Sequence, residues 1–462
     1  MSEEMMYKLN IEDIKTSFVY SPKGLTHSHG KRCKILPYPA NDKTLVSKFD
    51  GVVGAFSRKI TNKDLSEDFD SYKFIENVCE KIGEYDGPTS KETFKNIIKT
   101  MFIDDGKLVD FNIKTINYIA SNNQEDRLGK FIASILFTDE LKADVDKHYN
   151  KDVENILYKL VLSSLPELKT KKQSEEEYKC YVPFIKGLFI EDFKFLINHE
   201  ELYKESLKRF IEYYYFYYIS QMAVKLSKFE KADLTQPEKI YFTLDWESTS
   251  KNRTAYKFGW DLLKISVNSL FAHAITLELL NHHNLDKQLG YNELFELFKE
   301  LDEDEVAKEV SDVYKSYTDQ IGLDFNWSGL KFRNVETGNK AFDEVHKLFE
   351  AVEYQFINSS RNRAYEAYRN WFIRFVYDNF SKKRGQLGYN LNITEEDIIL
   401  MTKICIKDND RLKLNDLFKK FELRGLLFDR DSKLKIIQLF EKLNILEKKS
   451  DSGDAQYVRS IL

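Results

Sequence analysis

The chain is poor in residues that break helices. Its 462 positions hold 18 glycines and 7 prolines, which excludes a collagen-like or low-complexity chain and lets helices run long. Cysteine is equally sparse. Cys33, Cys79, Cys180 and Cys405 stand far apart with no CxxC pair, so neither a disulfide framework nor a zinc ribbon is available, and the usage fits a reduced, cytoplasmic protein. Long apolar runs are missing as well. The best candidate, Trp260–Leu280, is interrupted by Lys264, Asn268, His273 and Glu278, which predicts a buried helix rather than a membrane span. The opening MSEEMMYKLNIEDIK is acidic without an apolar core, so no signal peptide is expected. Nor is there a large excess of positive charge. The net charge of −5 excludes a surface built wholesale for polyanions and confines any nucleic-acid contact to a local patch.

Apolar and aromatic residues are plentiful, at 42% and 14%. With this length they predict two or three packed domains. Residues 1–60 hold the short apolar runs CKILPYP and GVVGAF and read as a mixed region with some strand. From 61 to 380, three- and four-residue spacing dominates, as in ETFKNIIKTMF and LGKFIASILFTDEL, and predicts a helical scaffold. KTKKQSEEEY (Lys169–Tyr178) and SKFEKADLTQPEK (Ser227–Lys239) read as connectors within it. Residues 381–392, SKKRGQLGYNLN, read as a basic linker, and 393–462 as a final small domain.

In that last domain Thr394 and Asp397 are spaced as a capping box. Leu414, Leu417, Phe418 and Phe421 share a helix face that Gly425 ends. Ile436, Ile437, Phe440 and Leu443 form the face of a third helix. A hairpin centred on Ser452 then sets Leu446 opposite Val458. Because an isolated hairpin is marginal in water, three short helices beneath it predict a winged-helix-like domain. The fold class is mainly α: a multi-helical body, a small mixed N-terminal region and this C-terminal module ending in a β-hairpin.

Motifs for chemistry are weak. GLTHSHGK (Gly24–Lys31) is a near miss of a phosphate-binding loop, with five residues between its glycines and Arg32 where Ser or Thr would hold Mg²⁺. His27, His29 and Cys33 lack a fourth metal ligand nearby, and His273, His282 and His283 belong to an apolar helix, where a hydrogen-bonded core histidine is the commoner outcome. LDWESTSK offers Asp245, Glu247 and Lys251, but the spacing fits no nuclease pattern; capping or pairing with Arg253 is the simpler role. No cofactor, metal or catalytic residue is implied. The six aromatics Tyr213–Tyr218 would point all round a helix, which suits a wedge between neighbours better than a one-sided stacking platform for bases.

Ser359–Arg384 is more suggestive. Arg361, Arg363, Arg369, Arg374, Lys382, Lys383 and Arg384 face only Glu366 and Asp378 in this stretch, and Tyr365, Tyr368, Phe372 and Phe375 form the stripe that would be buried. On the third helix of the terminal module, Lys435, Gln438 and Lys442 fall away from the core beside Asp431, and Lys448 and Lys449 sit on the wing. Phosphate contact by the strip and groove entry by the helix are the resulting DNA hypothesis. The competing readings are a solvated strip pairing with the acidic run ELDEDE and a winged helix used for protein contacts.

The segments SKKRGQLGYNLNITEEDIILMTKICI, FELRGLLFDRDSK and LEKKSDSGDAQYVRSIL, with THSHGKRCKILPYP, FDGVVGAF and LDWESTSKNRTAYKFGWDLL, resemble the DptG (DndG) family of subunits in bacterial phosphorothioation-dependent DNA restriction. The resemblance implies DptF and DptH as partners that supply nucleotide-driven motor functions, double-stranded DNA as the target, and no membrane. It implies no catalytic residue. The expectation is a non-catalytic scaffold subunit of an antiviral restriction complex. A stand-alone winged-helix regulator and a cryptic metal-dependent nuclease are the alternatives.

Overall fold

Residues Glu200–Ser227 form one helix of 28 residues, uninterrupted by glycine or proline, and the rest of the chain packs around it. Its aromatic run Tyr213–Tyr218 is buried on every side, the wedge that the sequence predicts. Buried phenols need hydrogen-bond partners, and these tie different segments to one axis. Tyr213 Oη donates to the Arg424 carbonyl at 2.5 Å, Tyr214 to Asp192 Oδ2 at 2.7 Å, Tyr217 to the Leu423 carbonyl at 2.6 Å and Tyr218 to the Lys179 carbonyl at 3.2 Å. The Tyr215 hydroxyl meets that of Tyr38.

The structure is a computed structural model and describes residues 7–170, 178–321, 325–448 and 456–461. The protein is mainly α, with nineteen helices and only short strands among the described residues. One apolar core runs from Tyr7 to Val458, and a smaller cluster around Phe74, Val78, Ile98, Phe102 and Val161 lies apart from it. Among the described residues no single helix is long and apolar enough to cross a membrane. Trp260–Leu280 is two helices, Trp260–Asn268 and Leu270–Leu280, bent at Ser269, and the second is buried throughout.

Two regional expectations need correction. The N-terminal region contributes helices Ile11–Ser17 and Asp50–Ile60 but no strand among its described residues, only isolated bridges such as Leu9 with His283. GVVGAF is helical because its glycines permit close packing: a Cβ on Gly54 would lie 2.3 Å from the Ile119 carbonyl oxygen. The supposed linker 381–392 is a β-hairpin. Ser381–Lys383 pairs antiparallel with Tyr389–Ile393, and the latter runs parallel to Tyr241–Leu244, which is itself parallel to Leu427–Phe428. This four-stranded sheet joins the helical body to the C-terminal segment. Local glycine and lysine content reads as a loop, whereas the pairing partner lies far upstream.

The C-terminal segment carries helices Glu395–Ile406, Leu414–Leu423 and Arg430–Lys442. The Thr394–Asp397 capping box is present. Gly425 adopts φ +79°, and its lack of a Cβ lets the Tyr217 ring approach. Strands Arg411–Lys413, Gln456–Arg459 and Leu446–Lys448 form an antiparallel sheet with Gln456–Arg459 in the middle, and Leu446 faces Val458 as expected. Ser452 and Lys449 lie outside the described residues, and Lys448 is described only as the end of its strand. On the third helix Ile436 and Phe440 are buried and Ile437 half-buried, but Leu439 takes the inward place expected of Leu443. The helix ends at Lys442 and the chain turns away there, leaving Leu443 outside.

Candidate nucleic-acid interface

The basic strip lies on the helix Asn362–Asn379 and the hairpin after it. Tyr365, Tyr368, Phe372 and Phe375 are buried as expected, together with Trp371. The helix is pinned under the N-terminal segment: Trp371 Nε1 donates to the Asn41 carbonyl at 2.9 Å and Asn379 Nδ2 to the Ser47 carbonyl at 2.8 Å.

Five of the strip's seven cations are engaged, three of them by carboxylates. Arg361 donates to the Leu25 carbonyl at 2.8 Å. Arg369 pairs with Glu366 at 3.1 Å, Arg374 with Asp378 at 2.8 Å and Lys382 with Asp245 at 2.7 Å. Arg384 donates to the Leu244 carbonyl and to Asn392 Oδ1 at 2.8 and 3.2 Å. The acidic ELDEDE run is not the partner; its Asp304 pairs with Lys340. Arg363 and Lys383 are exposed and have no partner among the described residues. The structure therefore reduces a strip of seven cations to two open ones.

The third helix of the C-terminal segment is similarly divided. Asp429 caps it through Ser432 N–H at 3.1 Å and is gripped by Arg253, whose Nε and Nη2 lie 3.0 and 2.5 Å from its carboxylate. Burial pushes the Asp429 carboxyl up, but the Arg253, Ser432 and Ala255 donors outweigh it and leave the carboxyl below its ordinary range. Ser432 donates to Glu247 at 2.7 Å, and Arg253 also reaches Asp431 at 3.6 Å. Lys435 stands over the Trp246 ring, 5.8 Å from its centroid, and bonds Gln438 at 3.2 Å. The first two turns thus face the loop 245–253, while Gln438 and Lys442 remain exposed.

This arrangement gives LDWESTSK its role. Glu247 pairs with Arg253, as expected, and accepts the Leu244 N–H at 3.0 Å. The Lys382 hydrogen bond, with Asn392 and Arg384 nearby, holds the Asp245 carboxyl below the usual carboxylate range. Asp245 is thus an anion matched by Lys382. Among the described residues no group of three or more His, Cys, Asp and Glu side chains is disposed to hold a metal.

The glycine loop is an anion cradle that the chain fills itself. Glu278, fully buried, accepts the N–H groups of Lys31, Arg32 and Cys33 at 3.0–3.2 Å. His282 Nδ1 meets Asp13 at 2.8 Å, and His27 Nε2 meets Tyr317 Oη at 2.7 Å. His273 hydrogen-bonds Tyr291 at 3.0 Å, and burial drives its pKa down to about 3. His273 and His282 are buried core groups, and His27 is half-buried.

Sequence reasoning missed Glu278, which reads only as an interruption of an apolar helix, and the Arg424–Asp192 pair, whose members lie in unrelated segments. Comparison with protein-family models and with curated proteins gives no match to this chain.

Proposed function

We propose that the chain is a non-catalytic subunit of a bacterial phosphorothioation-dependent restriction complex, in which it holds partners of the DptF and DptH type and contacts double-stranded DNA. The partner part rests on the resemblance carried by Ser381–Ile406, Phe421–Lys433 and Leu446–Leu462. The DNA part rests on one observation. Helix, strand, helix, strand, helix and two strands follow one another from Glu395 to Arg459, with the last strand in the middle of its three-stranded sheet and Leu427–Phe428 paired elsewhere, to Tyr241–Leu244; this order supports a winged-helix reading. The scaffold reading is supported by a core continuous from the N-terminal segment to the C-terminal one, which gives partners a rigid body to bind.

The geometry narrows where DNA would meet the chain. The reading half of a recognition helix is normally its N-terminal turns, and here Asp429, Asp431 and Lys435 are engaged by Arg253 and Trp246. DNA binding falls instead to Gln438 and Lys442, with Arg363 and Lys383 as phosphate donors, and is non-specific in sequence. Replacing Arg363, Lys383 and Lys442 with Gln should flatten the salt dependence of duplex binding by about 0.9 log unit for each phosphate no longer neutralised. Arg374→Gln, which removes a cation already paired with Asp378, serves as the control and should leave the slope unchanged. Fluorescence anisotropy across a salt series measures both; an unaltered slope in the triple variant removes the DNA role.

A further inference from the structure

The segment that follows the Glu278-filled loop has a second polar feature, independent of the DNA surface. Its residues and the helix Asn123–Leu136 wall a cleft of about 370 Å³, lined by His29, Lys34, Pro37, Pro39, Arg127 and Tyr178 among others. Lys34 and Arg127 reach it from two elements, and neither has a carboxylate partner among the described residues. Gly30, at φ +70°, lies under the Lys34 stem: a Cβ there would sit 3.8 Å from Lys34 Cγ. The remaining groups add little charge. His29 Nε2 bonds the Tyr38 carbonyl at 3.0 Å, and burial lowers its pKa. Behind the loop, the Glu278 carboxylate is met by three amides.

We propose that this cleft binds a phosphate monoester of nucleoside size. Two cations that line one cavity, neither with a carboxylate partner among the described residues, suit the dianion of a monoester, and charge-assisted hydrogen bonds to phosphate are the strong class. Pro37, Pro39 and the buried Leu36 supply an apolar wall for a flat organic group. The volume lies in the range of small-molecule sites, roughly 300–1,000 Å³. The amides of Lys31, Arg32 and Cys33 are not available to such a ligand because Glu278 holds them, so recognition falls to the side chains.

Isothermal titration of the full chain with adenosine 5′-monophosphate, adenosine and inorganic phosphate tests this. The nucleotide should bind saturably at one site, more tightly than phosphate, and adenosine should not bind. Arg127→Gln and Lys34→Gln should each weaken the nucleotide roughly tenfold or more. Thermal melting should not change, since neither side chain holds a structural partner among the described residues. Three results would overturn the proposal: no saturable nucleotide binding at millimolar concentration, affinity retained in both variants, or inorganic phosphate bound as tightly as the nucleotide.

Discussion

Arg424→Ala is expected to destabilise the protein by about 3–5 kcal/mol, the loss typical of a buried ion pair deprived of one partner. Arg424 and Asp192 are 4% and 0% exposed at their side chains. The guanidinium grips the carboxylate through Nε and Nη2, both at 2.6 Å. Asp192 also accepts from Tyr214 at 2.7 Å, and the Arg424 carbonyl receives Tyr213 at 2.5 Å. This pair therefore joins the helices Phe184–Asn198 and Glu200–Ser227 to the C-terminal segment. Once Arg424 is gone, Lys407 at 3.5 Å is the nearest cation left to Asp192. Urea denaturation should show the loss, and limited proteolysis should open the chain near residue 395. Because desolvation offsets most of the Coulombic gain of such a pair, replacing both members with apolar residues, Asp192→Leu with Arg424→Met, should recover part of the stability, less about 1–3 kcal/mol for the Tyr214 hydroxyl left without its acceptor. A single variant as stable as the wild type would show that the segment is held by other interactions.

The second large effect belongs to Glu278. Glu278→Ala leaves the N–H groups of Lys31, Arg32 and Cys33 without their acceptor in a largely enclosed site. The Cys33 donor is buried and those of Lys31 and Arg32 part-buried; an orphaned buried donor costs about 1–3 kcal/mol, so a loss of about that size is expected, concentrated in the N-terminal segment. Hydrogen exchange reads it directly: those three amides should lose protection while the Tyr213–Tyr218 stretch of the central helix keeps its own. Glu278→Gln retains one acceptor oxygen and should fall between the two. Unchanged protection in Glu278→Ala would mean that the loop is held without its carboxylate.

What the sequence makes legible is local. The capping box at Thr394, the stop at Gly425, the buried stripe of Tyr365, Tyr368, Phe372 and Phe375, and the register of Leu446 with Val458 all depend on spacing within one element or one hairpin. The failures share the opposite cause. Ser381–Asn392 reads as a linker because its strand partner, Tyr241–Leu244, is remote in sequence. Arg361 and Lys382 read as open because their partners, the Leu25 carbonyl and Asp245, are remote in sequence, whereas Arg369 and Arg374 take the two acidic residues of the strip itself. Leu443 reads as inward only if helical periodicity is carried past Lys442, where the helix stops. Glycine in GVVGAF is ambiguous between a strand and a close helix contact, and only the approach of Ile119 decides it.

With five of the seven strip cations engaged and the first turns of the last helix held by Arg253, the open cations are few and form no continuous basic face. In the proposed function, protein partners would then take the larger part. Co-expression of the full chain with DptF and DptH, followed by gel filtration with and without duplex DNA, tests that role most directly. The account predicts that the chain elutes with at least one of the two partners, without added nucleotide, and that duplex joins the same peak. Elution of the chain alone, with both partners in separate peaks under either condition, would contradict it.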